Sequence, residues 1–348
     1  MSEKIKQRRS IFTWICAVVM AIIFLVVPVP RYVEFPGAAQ NVAQYVHVDS
    51  HKKHPHGSLM LVYVSMLRAT PMTYTLSYLS PFAERDTSQS VLAGNNNAQF
   101  NRVQQYYMSD AVNEAKYVSL RLAHLPVRQR YIGIYVMQVM KQSKFNGKLR
   151  VGDTVTAVNG HHYSNATAFQ RALGDQRVGQ RVTITYLRNG KKHQVTGPVI
   201  KLPGTSRTGL GIELANRSTV QTPIKIKADM GRIGGPSAGM MLTLEMYQQL
   251  TGKDLTRGRR IAGTGTISAS GAVGDIGGVD KKVVAASRAG AQIFFVPDNP
   301  TPAVVKRLDP HVQNNYQEAR AMARKIRTPM KIVPVRNVRD AIRYLDHH

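Results

Sequence analysis

The chain has 348 residues, enough for two or three domains, and its 47 Lys+Arg against 20 Asp+Glu give a formal charge of +27. Residues 205–348 alone hold 22 basic and 11 acidic side chains, so the excess is spread along the chain and is not a tail. Charge of this kind suits an anionic environment such as a cell-wall polymer or a lipid surface. Nucleic acid is the rival partner, but no zinc-finger spacing, aromatic RNP run or basic heptad array is present, so no nucleic acid is expected. The single cysteine, Cys16, excludes an intrachain disulfide.

Residues 11–29, Ile11 to Val29, are nearly all apolar and follow Lys4, Lys6, Arg8 and Arg9. The run is at the short end of the ~17–25 residues that span a bilayer. The basic flank predicts a cytoplasmic tail at 1–10 and everything after Arg31 outside the cell membrane. Cleavage of the run as a signal peptide is the competing reading. Val27-Pro28-Val29-Pro30-Arg31 lacks a small-x-small site, which favours a retained single-pass anchor.

Residues 30–126 read as a mixed α/β segment. Leu59 to Val64 is its clearest strand, and Phe100 to Leu122, which includes Tyr106-Tyr107-Met108, reads as one or more helices with polar gaps. His51, Lys52, Lys53, His54 and His56 form a polar cluster around Pro55, read as an exposed loop; no metal is expected there. From Arg130 the pattern changes to short strands. Ile132 to Val139 is one, Leu149 to Gly160 is a turn, a strand and an Asn159-Gly160 hairpin signal, Ala166 to Leu173 is a short helix, and Arg181 to Leu187 precedes the turn Arg188-Asn189-Gly190.

The most informative stretch runs from Gly231 to Ala291. Gly234-Gly235-Pro236-Ser237-Ala238-Gly239 is a turn that opens a helical run ending at Gly252. Ser237 therefore sits near a helix N-terminus, where free backbone N–H groups of Ser237 or Ala238 can meet a developing oxyanion. Gly277-Gly278-Val279-Asp280-Lys281-Lys282 is a second glycine-to-helix transition. A serine and a lysine presented from two helix starts suit a Ser-Lys dyad. The lysine must then lose a proton, which demands apolar walls such as Ile276, Val279, Val283 and Val284. Lys282 shares its helix face with Ala285, Ala286 and Ala289, whereas the side of Lys281 includes Arg288 and predicts a route to solvent.

Two other readings of these letters are weaker. Gly235 to Gly239 also fits the G-x-S-x-G elbow of α/β-hydrolases, but the downstream histidines are only His311, His347 and His348, and no HGGG-type run exists. Gly263-Thr264-Gly265 begins a dinucleotide fingerprint whose third glycine is replaced by Ser268. No G-x-x-x-x-G-K-[ST] occurs, so neither an ATPase domain nor any cofactor is expected in this chain.

PSAG, the Gly263-Thr264-Gly265-Thr266-Ile267 segment and GG-x-x-x-K resemble the proteolytic domain of Lon-type peptidases, and L-x-V-G-D-x-V-x-A-V-N-G at residues 149–160 resembles a bacterial PDZ domain. Together with the apolar run they resemble the membrane-anchored, PDZ-containing Lon-type serine proteases of bacteria. The resemblance implies an α+β multidomain protein: transmembrane helix, mixed α/β segment, PDZ-like β-rich domain at 127–202 and Lon-type α+β protease domain at 205–348. It implies Ser237 as nucleophile, Lys282 as base, and Gly235, Ala238 and Thr264 as site support. Tyr131, Ile132 and Gly133 would lie at a peptide-capturing edge of the PDZ-like domain. One departure is Gly234, where many Lon proteases carry an acidic residue. The expected function is ATP-independent cleavage of extracytoplasmic peptides or proteins; the alternative is a surface scaffold with a degenerate protease domain. A homo-oligomer is compatible with the resemblance, as Lon-type domains often form rings.

Overall fold

The computed structural model describes residues 2–49 and 56–348, so His51 to His54 lie outside the described residues, while His56 is exposed. The first helix, α1 (Ser2–Val26), contains a 20-residue stretch, Gln7–Val26, long and apolar enough to cross a membrane and not buried within the protein. At 1.5 Å per residue it is about 30 Å long, the thickness of a bilayer's hydrocarbon core. It stops short of the expected Val29, before Pro28 and Pro30, whose rings cannot continue a helix.

Strands β1 (Arg31–Asn41), β2 (Val46–Val48) and β3 (Ser58–Arg68) follow, then α2 (Pro71–Leu76), β4 (Glu84–Thr87), α3 (Ser88–Leu92) and the long α4 (Asn97–Leu122). Asn96 caps α4, accepting from the amide of Gln99, whose side chain accepts in return from the Asn96 amide. Next come β5 (Arg128–Val139), β6 (Thr154–Val158), α5 (Ala166–Gly174), β7 (Arg181–Arg188), β8 (Lys191–Pro198), β9 (Ile200–Lys201), β10 (Thr208–Gly209), β11 (Ile212–Gln221) and β12 (Ile226–Ala228). The remainder is α6 (Gly239–Thr251), β13 (Arg260–Gly263), β14 (Thr266–Ile267), β15 (Val273–Gly274), α7 (Val279–Arg288), β16 (Ile293–Pro297), α8 (Ala303–Leu308), α9 (Asn315–Lys325), β17 (Lys331–Val335) and α10 (Val338–His347).

A six-stranded mixed sheet in the order β17-β16-β13-β3-β1-β4 forms the frame of the carboxy-terminal half. Leu59 and Leu61 of β3 face a core shared with α4, α6 and α10, while Met60 and Val62 face a second core with α7 and α9. Alternate residues point to opposite faces of a strand, so a sheet covered by helices on both sides requires the continuous apolar run seen at Leu59 to Val64.

The expected division of the chain therefore changes. Residues 30–126 are no separate segment: β1, β3 and β4 are half of the sheet that also holds β13, β16 and β17. One strand crosses the boundary expected at 202–205: β11 pairs antiparallel along β5 and extends the five-stranded sheet β11-β5-β6-β7-β8. A strand buries its polar edge against whatever partner is adjacent in space, which sequence order does not reveal. Strands β13 and β14, close in sequence, lie in different sheets, with Thr264 and Gly265 turning between them.

Helix α4 ties the two sheets together. Met108, Val112, Ala115 and Val118 pack with α6, while Val103 and Tyr106 join Tyr135, Met137 and Val151 in another cluster. Tyr106 stacks on Tyr135 at 3.9 Å between ring centroids and donates its hydroxyl to the carbonyl of Asn216 in β11.

Candidate active site

Ser237 lies in the loop just before α6, and Ala238 is the N-cap residue, with no side chain capping the helix start. An uncapped helix leaves its first amides without internal partners. Among the described residues no acceptor takes the amide hydrogens of Ser237 or Ala238, whereas Gly235 donates to the carbonyl of Gln104 at 2.9 Å. Gly235 thus anchors the loop on α4, and its amide is not available to a substrate.

The loop approaches α4 so closely that a Cβ at Gly234 would lie 2.9 Å from Cβ of Gln104. That contact accounts for the glycine at this position: an acidic side chain would have to displace the helix.

Lys282 sits in the first turns of α7 and is only 3% exposed. Its Nζ donates to Ser237 Oγ at 3.0 Å and to Thr264 Oγ1 at 3.3 Å. Thr264, fully buried, donates Oγ1 to the carbonyl of Ser237 at 3.2 Å, and the amide of Gly265 donates to the same carbonyl at 2.9 Å. The serine backbone is therefore held from β13–β14 while its hydroxyl meets the amine. Burial pushes the Lys282 amine down to about 8, opposed by the negative charge of Glu34. Val279, Val283 and Val284 are buried as expected, and Ile276 packs at the edge of the same core. An amine so placed can be neutral near physiological pH and accept a proton from the serine hydroxyl.

Lys281 departs from expectation. Instead of reaching solvent it is 2% exposed, with Nζ bonded to Glu84 and lying 3.3 Å from Asp280 and 3.9 Å from Glu34. Burial by itself would lower its pKa, but the three carboxylates outweigh that and raise it. Glu34 and Glu84 come from β1 and β4, about two hundred residues or more earlier, and no local pattern announces them.

The edge expected to capture peptides is not open. β11 runs along it, opposing Ser218 to Tyr131, Arg217 to Gly133 and Asn216 to Ile134, with an irregularity at Ile132. Thr208, just upstream, donates to the carbonyls of Leu173 and Gln176 at the end of α5, and Leu210 is buried in the module's core. The Tyr131 hydroxyl is buried without a hydrogen-bond partner.

Residues 107–199 match the model of a PDZ domain, and residues 210–345 match that of the Lon protease (S16) C-terminal proteolytic domain. The chain carries a PDZ domain and a Lon-type proteolytic domain. Lon protease from Aster yellows witches'-broom phytoplasma is 28% identical over 106 residues, 30% of this chain and 11% of that protein. Lon protease 1 of Myxococcus xanthus is 34% identical over 109 residues, 31% of this chain and 11% of its own. The chain thus spans about a tenth of the length of these Lon relatives. A probable periplasmic serine protease do/HhoA-like from Haemophilus influenzae is 33% identical over 64 residues, 18% of this chain and 14% of that protein. Among solved structures, the PDZ domain of the SdrC-like protein from Listeria monocytogenes is 27% identical, covering 24% of this chain and 88% of that one with a TM-score of 0.24. In the Lon-type domain of this chain the Ser237–Lys282 contact joins the start of α6 to the first turns of α7. Among the described residues no cluster of three or more His, Cys, Asp or Glu is arranged to hold a metal ion.

Proposed function

We propose that this protein is an ATP-independent, membrane-anchored serine endopeptidase in which Ser237 is the nucleophile and Lys282 the general base. The observation that carries the reading is the 3.0 Å contact between Lys282 Nζ and Ser237 Oγ, made by an amine whose burial lowers its pKa to about 8. The neutral amine takes the hydroxyl proton as Oγ attacks a peptide carbonyl, and the resulting ammonium returns a proton to the leaving amine. Thr264 orients both groups. The amides of Ser237 and Ala238 are the donors for the oxyanion, since nothing else engages them.

The Lys and Arg residues ahead of α1 support an orientation with residues after Arg31 outside the cell. Peptides and proteins are the proposed substrates, and the chain's own sequence contains no phosphate loop for ATP-driven threading. Because β11 pairs along β5, we assign the PDZ domain the role of positioning the protease domain, with peptide capture at that edge requiring β11 to leave. The test is labelling by a fluorophosphonate together with cleavage of a peptide library, comparing the wild type with Ser237→Ala. Equal behaviour of the two proteins would leave the alternative, a peptide-binding scaffold with a degenerate protease domain.

A further inference from the structure

Glu34 of β1 and Glu84 of β4 are directly opposed in the antiparallel register of these two strands. Like charges in that position repel across a distance of only ~5 Å. The pair is tolerated because Lys281 inserts its ammonium from α7, bonded to Glu84 and 3.9 Å from Glu34. Asp280 lies 3.3 Å from the same ammonium. Two further carboxylates bear on the cluster electrostatically, Asp86 of β4 on Glu34 and Glu318 of α9 on Lys281 and Glu84. Among the described residues Lys281 is the cation that Glu34, Glu84 and Asp280 share within 4 Å.

The cluster adjoins the turn that carries Lys282. Glu34 Oε2 would stand 3.7 Å from a Cβ placed on Gly278, the N-cap of α7, so its carboxylate lies against the first turn of the helix. Glu34 is also the charged group that acts on Lys282. An uncompensated carboxylate there would favour the ammonium form of Lys282 and hold the proton that a base must release.

We propose that Lys281 is a positioning residue for the active site, pairing with Glu34 and Glu84 so that their charge is spent on it and not on the neighbouring Lys282. The inference rests on Lys282 being the base of Ser237. It assigns opposite tasks to two adjacent, equally buried lysines: Lys281 stays charged so that Lys282 can be neutral.

The experiment follows the rate of Ser237 labelling by a fluorophosphonate against pH, with the full chain in detergent micelles. Wild type should show a midpoint governed by Lys282. Lys281→Met should move it upward by about one unit, a roughly tenfold loss at pH 7, with the rate recovered at high pH. Glu34→Gln should move the midpoint downward, Lys281→Met/Glu34→Gln should return it towards wild type, and Lys281→Arg should leave it in place. A uniform loss at every pH with an unchanged midpoint would show a purely structural role and overturn the inference alone. Should Lys281→Met not fold, Glu34→Gln decides, and an unmoved midpoint in that variant sinks it. Equal labelling of wild type and Lys282→Ala would bring down the base assignment and this inference with it.

Discussion

Lys282 and Lys281 are adjacent, both almost fully buried, and turned to different partners: one to Ser237 and Thr264, the other to Glu34, Glu84 and Asp280. Successive residues of a helix diverge by about 100°, so α7 can serve two unlike environments at once. One is apolar and lowers the pKa of its amine; the other is acidic and raises that of its neighbour.

Replacement of either member of the Ser237–Lys282 pair should abolish peptide cleavage. Groups that act as one unit are not additive, so Ser237→Ala/Lys282→Ala should be no slower than either single variant. Cleavage of a fluorogenic peptide by the three proteins checks this, and a further loss in the double variant would mean that the two residues act independently.

Activity should rise with pH through about 8, where the Lys282 amine becomes neutral. Stability carries the same sign. The folded chain releases this proton near 8 and the unfolded chain only near ~10.4, so between those values the unfolded state binds more protons and stability grows with pH. Below that window the buried ammonium is a burden, worth at most about 3 kcal/mol at 1.36 kcal/mol per pKa unit. Lys282→Met should therefore gain in Tm relative to wild type at pH 7, and the gain should shrink by pH 10. A difference that stays constant from pH 7 to 10 contradicts the assignment.

Thr264→Val removes the hydroxyl between Lys282 and the Ser237 carbonyl while keeping the volume. One hydrogen bond is worth about 0.5–1.5 kcal/mol, so kcat should fall roughly three- to tenfold with KM nearly unchanged. A change confined to KM would place Thr264 in substrate binding.

Gly234→Asp, the acidic residue of many Lon-type sites, should destabilise this protein by about 1–3 kcal/mol through overpacking, because a Cβ there meets Gln104 at 2.9 Å. Gly234→Ala, which adds the Cβ alone, should already show much of the loss in a denaturant titration. If Gly234→Asp is as stable as wild type, α4 does not constrain the serine loop.

The amides of β11 should exchange with solvent as slowly as those of the β7–β8 pair, because β11 is bonded along the whole of β5. Hydrogen exchange read by mass spectrometry resolves residues 212–221. Fast exchange there would mean that the β5 edge opens readily and that peptides can add to it.

Local signals carried much of this protein. The helix beginning just after Ser237 and ending at Gly252, the helix beginning at Val279, the long α4 and the strands of the PDZ module are all legible from periodicity and from glycine or asparagine at their ends. Helix geometry put Lys282 on a face with Ala285 and Ala286, both buried, but Lys281, with Val284 and Ala285 on its own side, is buried as well, so that stripe did not separate the two lysines. What escaped depends on pairing between distant residues. That β1, β3 and β4 complete the protease sheet, that β11 closes the edge of β5, and that Glu34 and Glu84 await Lys281 are facts of register between strands far apart in the chain. An alternating pattern states that a strand has a buried face, while its hydrogen-bonding edge is the same for every sequence. The sequence alone therefore determined which elements form and which serine and lysine open two of the helices. Only the tertiary structure decided which edges meet, and with them which carboxylates share the helix of the lysine.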